Sequence, residues 1–193
     1  LEFEAEPTAG RQRRLTACER ILYRRDDLTD LLPLGQAEPY ALPGERYRLA
    51  LTQGLMNRIF RKDDRPLIAD AATALELPGG SSGAYVSSET LQALGLFPAA
   101  DDVGGWWAPS GRVYYSPGTD DTAADERAYA RRHFFRTCRY RDPFHTADNP
   151  TEQKVVYDDY DLLEVESIDA LGNRITVGLR LSNGERDPAG GGM

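Results

Sequence analysis

Residues able to make or break bonds are few in this chain, and their spacing does not converge. Among 193 residues the histidines are His133 and His145 and the cysteines are Cys18 and Cys138. A zinc site of the usual kind draws four such ligands from short spacings, which this set cannot supply. His133 closes a helical run with Tyr129 four residues before it, the position of a packed helix-end histidine rather than of a general base. The two cysteines are far apart and read as small buried side chains, not as a disulfide framework. Carboxylates abound, yet no pair stands out by spacing. Glu164 and Glu166 sit two apart in an alternating run, so they are expected to share one solvent-facing side of a strand. The run Pro78-Gly79-Gly80-Ser81-Ser82-Gly83 lacks the Gly-Lys-Ser/Thr ending of a phosphate-binding loop and reads as a plain loop. No catalytic, cofactor-binding or metal-ligating residue is assigned.

What remains is the chemistry of flat aromatic surfaces. Trp106, Trp107, Tyr114 and Tyr115 flank Pro109-Ser110-Gly111, a sequence that suggests two strands joined by a turn. Two adjacent tryptophans in a strand point to opposite faces, so at least one is buried or lies at an interface. The same four rings would serve a glycan-binding β module, stacking on sugars. Core packing or an interface is the reading adopted.

Composition narrows the classes further. The 31 acidic and 23 basic residues give a formal charge of −8 and a pI near 4.9, which disfavours nucleic-acid binding through a basic field. The local arginine groups at 11–25 and 131–141 are interleaved with acids and read as solvated faces and ion pairs. No apolar stretch approaches 18 residues and no basic segment leads into an apolar run at the start, so neither a membrane span nor a classical signal peptide is expected in this chain. With 40% hydrophobic residues it can bury a core as one domain, as two small ones, or as a segment of something larger.

The elements that would carry these residues are short. Residues 1–14 read as a linker or torn edge, and Leu15 to Leu34 as a strand leading into a helical turn. Prolines 33, 39 and 43 then favour extended chain. A strand through Tyr47, Leu49 and Leu51 precedes a helix from Gln53 to Phe60 capped by Thr52. A second helix, Ser88 to Leu94, is capped by Ser87 or Ser88 and closed by Gly95. The strongest helix is Thr122 to Phe135, with acids at its start and Arg131 and Arg132 at its end. From Gln153 the chain reads as β: Lys154 to Asp158, Asp161 to Ser167 and Arg174 to Leu181. Residues 182–193 read as a disordered or truncated tail. The fold class is α+β, mainly antiparallel β with a few short helices.

Within that last region Tyr157-Asp158, the alternating run to Ser167 and Asp169-Ala170-Leu171-Gly172-Asn173 form one hairpin unit over 153–181. Aromatic and β-branched residues suit the pleated surface, Gly172 tolerates positive φ, and the Asp and Asn side chains can bond their own backbone. This unit resembles a YD repeat. With it come Leu22 to Gly35, Ala41 to Ala50, Trp106 to Arg112, Ala128 to Phe135 and Arg139 to Phe144. In this order the segments resemble the Rhs/YD-repeat family, most closely the B-type components of bacterial insecticidal toxin complexes and their SpvB-like relatives, over residues 14 to 177. The resemblance implies a non-catalytic segment near the start of a shell of antiparallel hairpins that encloses a C-terminal toxin domain. Its partners would be the rest of that shell, the enclosed toxin domain and other toxin-complex subunits, and it would be exported with them. SpvB-like relatives carry an ADP-ribosyltransferase elsewhere in their chains. That class pairs a Glu-x-Glu motif with a Ser-Thr-Ser strand, and Glu164-Val165-Glu166 supplies the first without the second.

Overall fold

The computed structural model describes residues 7–8, 10–13, 16–68, 75, 85–100, 104–178, 181–184 and 187. The glycine-rich run at 78–83 and most of the tail from 185 lie outside them, as do residues 1–6, 9 and 14 of the expected linker. The chain divides into two compact units: Leu1–Asp26 with Asp30–Ser110, and Asp27–Thr29 with Gly111–Met193.

In the first unit, strand β1 (Glu19–Tyr23) pairs antiparallel with β2 (Pro43–Leu51), Glu19 opposite Arg48 and Leu22 opposite Glu45. The helical turn expected before Leu34 is absent: Arg24 bridges to Leu31, and the chain folds back as tight turns. β2 starts at Pro43 rather than near Tyr47, since a proline is tolerated as the first residue of a strand. Helix α1 (Gln53–Ile59) is capped by Thr52, whose hydroxyl accepts the Leu55 N–H at 3.2 Å. A short hairpin, β3 (Arg61–Lys62) with β4 (Arg65–Pro66), follows. Strand β5 (Val86–Ser87) leads directly into helix α2 (Ser88–Ala93), and Ser87 is the cap. The core here is Leu22, Tyr47, Leu49, Leu91, Phe97 and Trp107. Phe97 stands edge-on to both Tyr47 and Trp107, and the Arg20 guanidinium lies 4.6 Å above the Trp107 ring.

Strand β6 (Trp106–Tyr114) corrects the sequence reading. The expected turn at Pro109-Ser110-Gly111 does not form, and the aromatic segment is one strand. A turn would require its two arms to pair with each other. Here Trp106 and Trp107 pair with Ser87 and Val86, while Arg112, Val113 and Tyr114 pair with Arg141, Tyr140 and Arg139. Gly111 takes φ of +84° within this strand, with no Cβ to meet the Arg141 carbonyl.

The second unit is an antiparallel meander made by the end of β6, β7 (Arg139–Arg141), β8 (Glu152–Tyr157), β9 (Glu164–Ile168) and β10 (Arg174–Thr176). Helix α3 (Ala123–Arg132) lies between β6 and β7 in sequence; against the expected run from Thr122 to Phe135, Thr122 is its cap and the last three residues fall outside it. Its Thr122 cap accepts the Asp125 N–H at 3.2 Å, and Asp125 and Glu126 in the first turn face the positive end of the dipole. Its end is forced: Phe134 and Phe135 both take φ of +52°, which no helix continues. Buried Glu126 accepts the Tyr115 N–H at 2.7 Å, so a carboxylate on the helix satisfies a strand amide. Mainly antiparallel β with a few short helices describes the described residues.

Candidate functional site: the Tyr-Asp hairpin

The five residues of the Tyr-Asp unit lie at the two turns that bracket β9. At the first, Asp158 accepts the Leu162 N–H at 2.7 Å and the Leu163 N–H at 3.2 Å, while its own N–H donates to the Leu163 carbonyl at 2.9 Å. The Leu162 amide bond is the main reason the Asp158 carboxyl is held below the usual carboxylate range. Tyr157, beside it, donates from its hydroxyl to the Thr137 carbonyl at 3.0 Å, and burial pushes its phenol upward. The turn occupies Asp158 to Leu163, so β9 starts at Glu164 and not at Asp161 as its alternating pattern suggested.

At the second turn Asp169 accepts from the Leu171 and Asn173 amides, both at 2.9 Å, and from the Asn173 side-chain amide at 2.9 Å. That Asn173 side chain is the first cause of the lowered Asp169 carboxyl. Gly172 takes φ of +83° there, which a residue with a Cβ adopts at a cost. Tyr157 thus ends β8, and Asp158, Asp169, Gly172 and Asn173 lie on two turns that an aspartate closes from within.

Sequence reasoning anticipated ion pairs among the arginines at 131–141 but missed that some of them are buried in this unit. On one side of the sheet Tyr114, Arg139, Lys154, Ile168 and Arg174 are cross-strand neighbours in register. Arg139, 2% exposed, donates to Glu152 at 2.6 Å and to the Ser116 carbonyl at 2.7 Å. Arg141 shares the same Glu152 oxygen at 3.1 Å, and both guanidinium groups lie over the Tyr114 ring. The interleaving of arginines with acids was the available signal, but it did not tell a buried pair from a solvated face.

Glu164 and Glu166 do not share a solvent face. Val156 pairs with Glu166 and Tyr157 with Glu164, which leaves Val165 as an extra residue in a bulge and turns the two carboxylates to opposite sides. Glu166 is buried and bonded to Arg174 at 2.7 Å, while Glu164 is exposed. The pair therefore has no common direction from which to act on a substrate.

The four aromatics are likewise inside the units that hold them. Trp107 is fully buried with its indole N–H on Ser88 Oγ at 2.9 Å, Trp106 and Tyr115 are buried, and Tyr114 is half-buried under arginines. A stacking platform needs an open ring face, which the buried Trp106, Trp107 and Tyr115 do not offer in this chain. His133 stacks on Tyr129 at 3.9 Å and its Nδ1 lies 3.0 Å from the Asp161 carboxylate. Cys18 and Cys138 are free, and burial pushes the Cys138 thiol up to about 11, which leaves it protonated and unreactive near neutral pH. Among the described residues no group of three or more His, Cys, Asp or Glu could hold a metal ion, and no helix is long and apolar enough to cross a membrane.

The chain matches no protein-family model and no curated protein. Among solved structures it is similar to the crystal structure of TcdB2-TccC3-Cdc42, with a TM-score of 0.35 and 17% identity, over 86% of this chain and 7% of that chain. It is similar also to the crystal structure of TcdB2-TccC3-TEV, with a TM-score of 0.34 and 18% identity, over 83% of this chain and 7% of that one. The chain therefore spans a small part of the length of the solved chains that it matches.

Proposed function

We propose that this chain is a non-catalytic wall segment of a YD-repeat shell, the toxin-delivery architecture in which antiparallel hairpins enclose a C-terminal toxin domain. Its partners in this reading are the following repeats of the shell, the enclosed toxin domain and other subunits of the toxin complex, with which it is exported. The observation that carries the reading is the hairpin from Tyr157 to Thr176, whose two turns are each closed by the aspartate of its own motif. Such a unit needs no outside ligand to set its geometry. It extends a sheet by backbone pairing, which is what a wall of successive hairpins requires. At its end β10 pairs with β9 through three residues, and Ile175 is 77% exposed. A further hairpin would cover that edge.

The test is to express the chain alone and together with downstream repeats, measuring size by light scattering and unfolding by circular dichroism. Association or a non-cooperative melt of the chain alone, corrected by the added repeats, is the expected result. A monomeric, cooperative transition that the repeats leave unchanged would overturn the shell reading.

A further inference from the structure

The residues between α3 and β7 hold the Tyr-Asp turn by side chains and backbone together. His133 Nδ1 lies 3.0 Å from the Asp161 carboxylate. Arg136 donates to the Leu162 carbonyl at 3.4 Å, and its guanidinium lies 4.5 Å above the Tyr157 ring. The Thr137 carbonyl accepts the Tyr157 hydroxyl. Each of these contacts runs from a five-residue segment to the motif that opens the hairpin, and none is part of the β ladder.

The turn itself is self-contained. Its amides bond to Asp158, and the Asp161 N–H donates to the Asp158 carbonyl at 3.0 Å, so opening the turn exposes these amides without breaking a bond of the β ladder. Apolar burial does little to hold it down, because Tyr160, Leu162 and Leu163 are 75%, 69% and 66% exposed. The polar contacts to the segment are therefore the main restraint. That segment is also strained: consecutive aromatic residues, Phe134 and Phe135, hold positive φ, a conformation that persists only where surrounding contacts impose it.

We propose that His133–Thr137 is a strap that buckles the Asp158–Leu163 turn to the end of α3, so that the turn opens and closes as a local unit while the sheet beneath it stays paired. The strap follows from the geometry of this unit and stands whether or not the shell reading does. Its residues are positioning residues with no chemistry of their own.

Hydrogen exchange on the full chain tests it, with Asp161→Asn and Arg136→Met as separate variants. Asn tolerates the φ of +57° at position 161, and Met keeps most of the aliphatic stem of arginine. The Leu162 and Leu163 amides should exchange about tenfold faster or more, the loss of one hydrogen bond to a charged group. The Val155 amide, bonded to the Cys138 carbonyl, and the Val177 amide, bonded to the Val165 carbonyl, should be unchanged. Tyr157→Phe keeps the ring under Arg136, removes the Thr137 bond alone, and should accelerate the same two turn amides, so it carries the test if the other variants do not fold. Turn amides that stay as slow as in the parent, or sheet amides that accelerate in step with them, would overturn the strap.

Discussion

Replacing Glu152 by alanine should destabilise the chain by about 3–5 kcal/mol, the cost of leaving a buried charge without its partner. The magnitude follows from what Arg139 would keep. It is 2% exposed, and after the change its guanidinium retains the Ser116 carbonyl and the Tyr114 ring but no anion. Arginine cannot escape by losing its proton. Arg141, which shares the Glu152 oxygen, has a side chain 25% exposed and can turn to water, so it adds little. Glu152→Gln keeps volume and an acceptor while losing the charge, and should cost roughly 1.5–3 kcal/mol. Changing Arg139 and Glu152 together to leucine should recover most of the loss, because replacing a buried pair by apolar groups is often neutral. Urea unfolding followed by far-ultraviolet circular dichroism reads each difference as a shift in midpoint at constant slope. Against a typical total of about 5–15 kcal/mol the alanine variant should sit near the limit of folding. A loss below about 1 kcal/mol would mean that Arg139 is hydrated in solution and that the reasoning fails. A double variant as unstable as Glu152→Ala would mean that packing volume, and not an unpaired charge, sets the cost.

Acid should loosen both turns of the hairpin: the Asp158 and Asp169 carboxyls are lowered in the folded state, so their contribution is present above the unfolded carboxylate value and is lost as pH falls from about 4 through the folded values. The melting temperature should thus change little between pH 7 and 5 on their account and drop below pH 4, and an Asp158→Asn, Asp169→Asn double variant should show a shallower drop. Gly111→Ala should cost about 2–4 kcal/mol, because the residue has φ of +84° and a Cβ would run into the Arg141 carbonyl and meet the Asp142 Cα at 2.7 Å, prying β6 from β7; a melting temperature equal to that of the parent would show that this approach is loose.

The helices and the hairpin turns were legible because their signals are local. Thr52, Ser87 and Thr122 are caps that bond amides three residues on. Asp158 and Asp169 reach amides four or five residues away at most, so side-chain chemistry and backbone shape lie in the same short window. The single strand β6 was not legible, because whether Pro109-Ser110-Gly111 turns depends on Ser87, Val86 and Arg139–Arg141, which are distant in sequence and pair with its two ends. Burial of Trp107 could be anticipated from its type, but its hydrogen bond to Ser88 could not.

Glu166, Arg139 and Glu152 mark a deeper limit of strand reading. Alternation assigns polar positions to water, and it does so correctly only where one side of a sheet is wet. In the second unit the side bearing Tyr114, Arg139, Glu152 and Glu166 is polar, yet Arg139, Glu152 and Glu166 are buried, each acid paired with an arginine on a neighbouring strand. A carboxylate on such a face looks in sequence like a solvated group or half of a catalytic pair. Its geometry shows the third possibility, a cross-strand tie that fixes register through charge rather than through apolar packing. Register fixed that way tolerates no one-residue slip, since moving β8 by one position would carry Glu152 to the other face and strand Arg139. Glu152 and Glu166 with Arg139 and Arg174 are thus parts of the sheet's register, and the side of a strand on which a charged residue lies does not by itself tell a solvated group from such a tie.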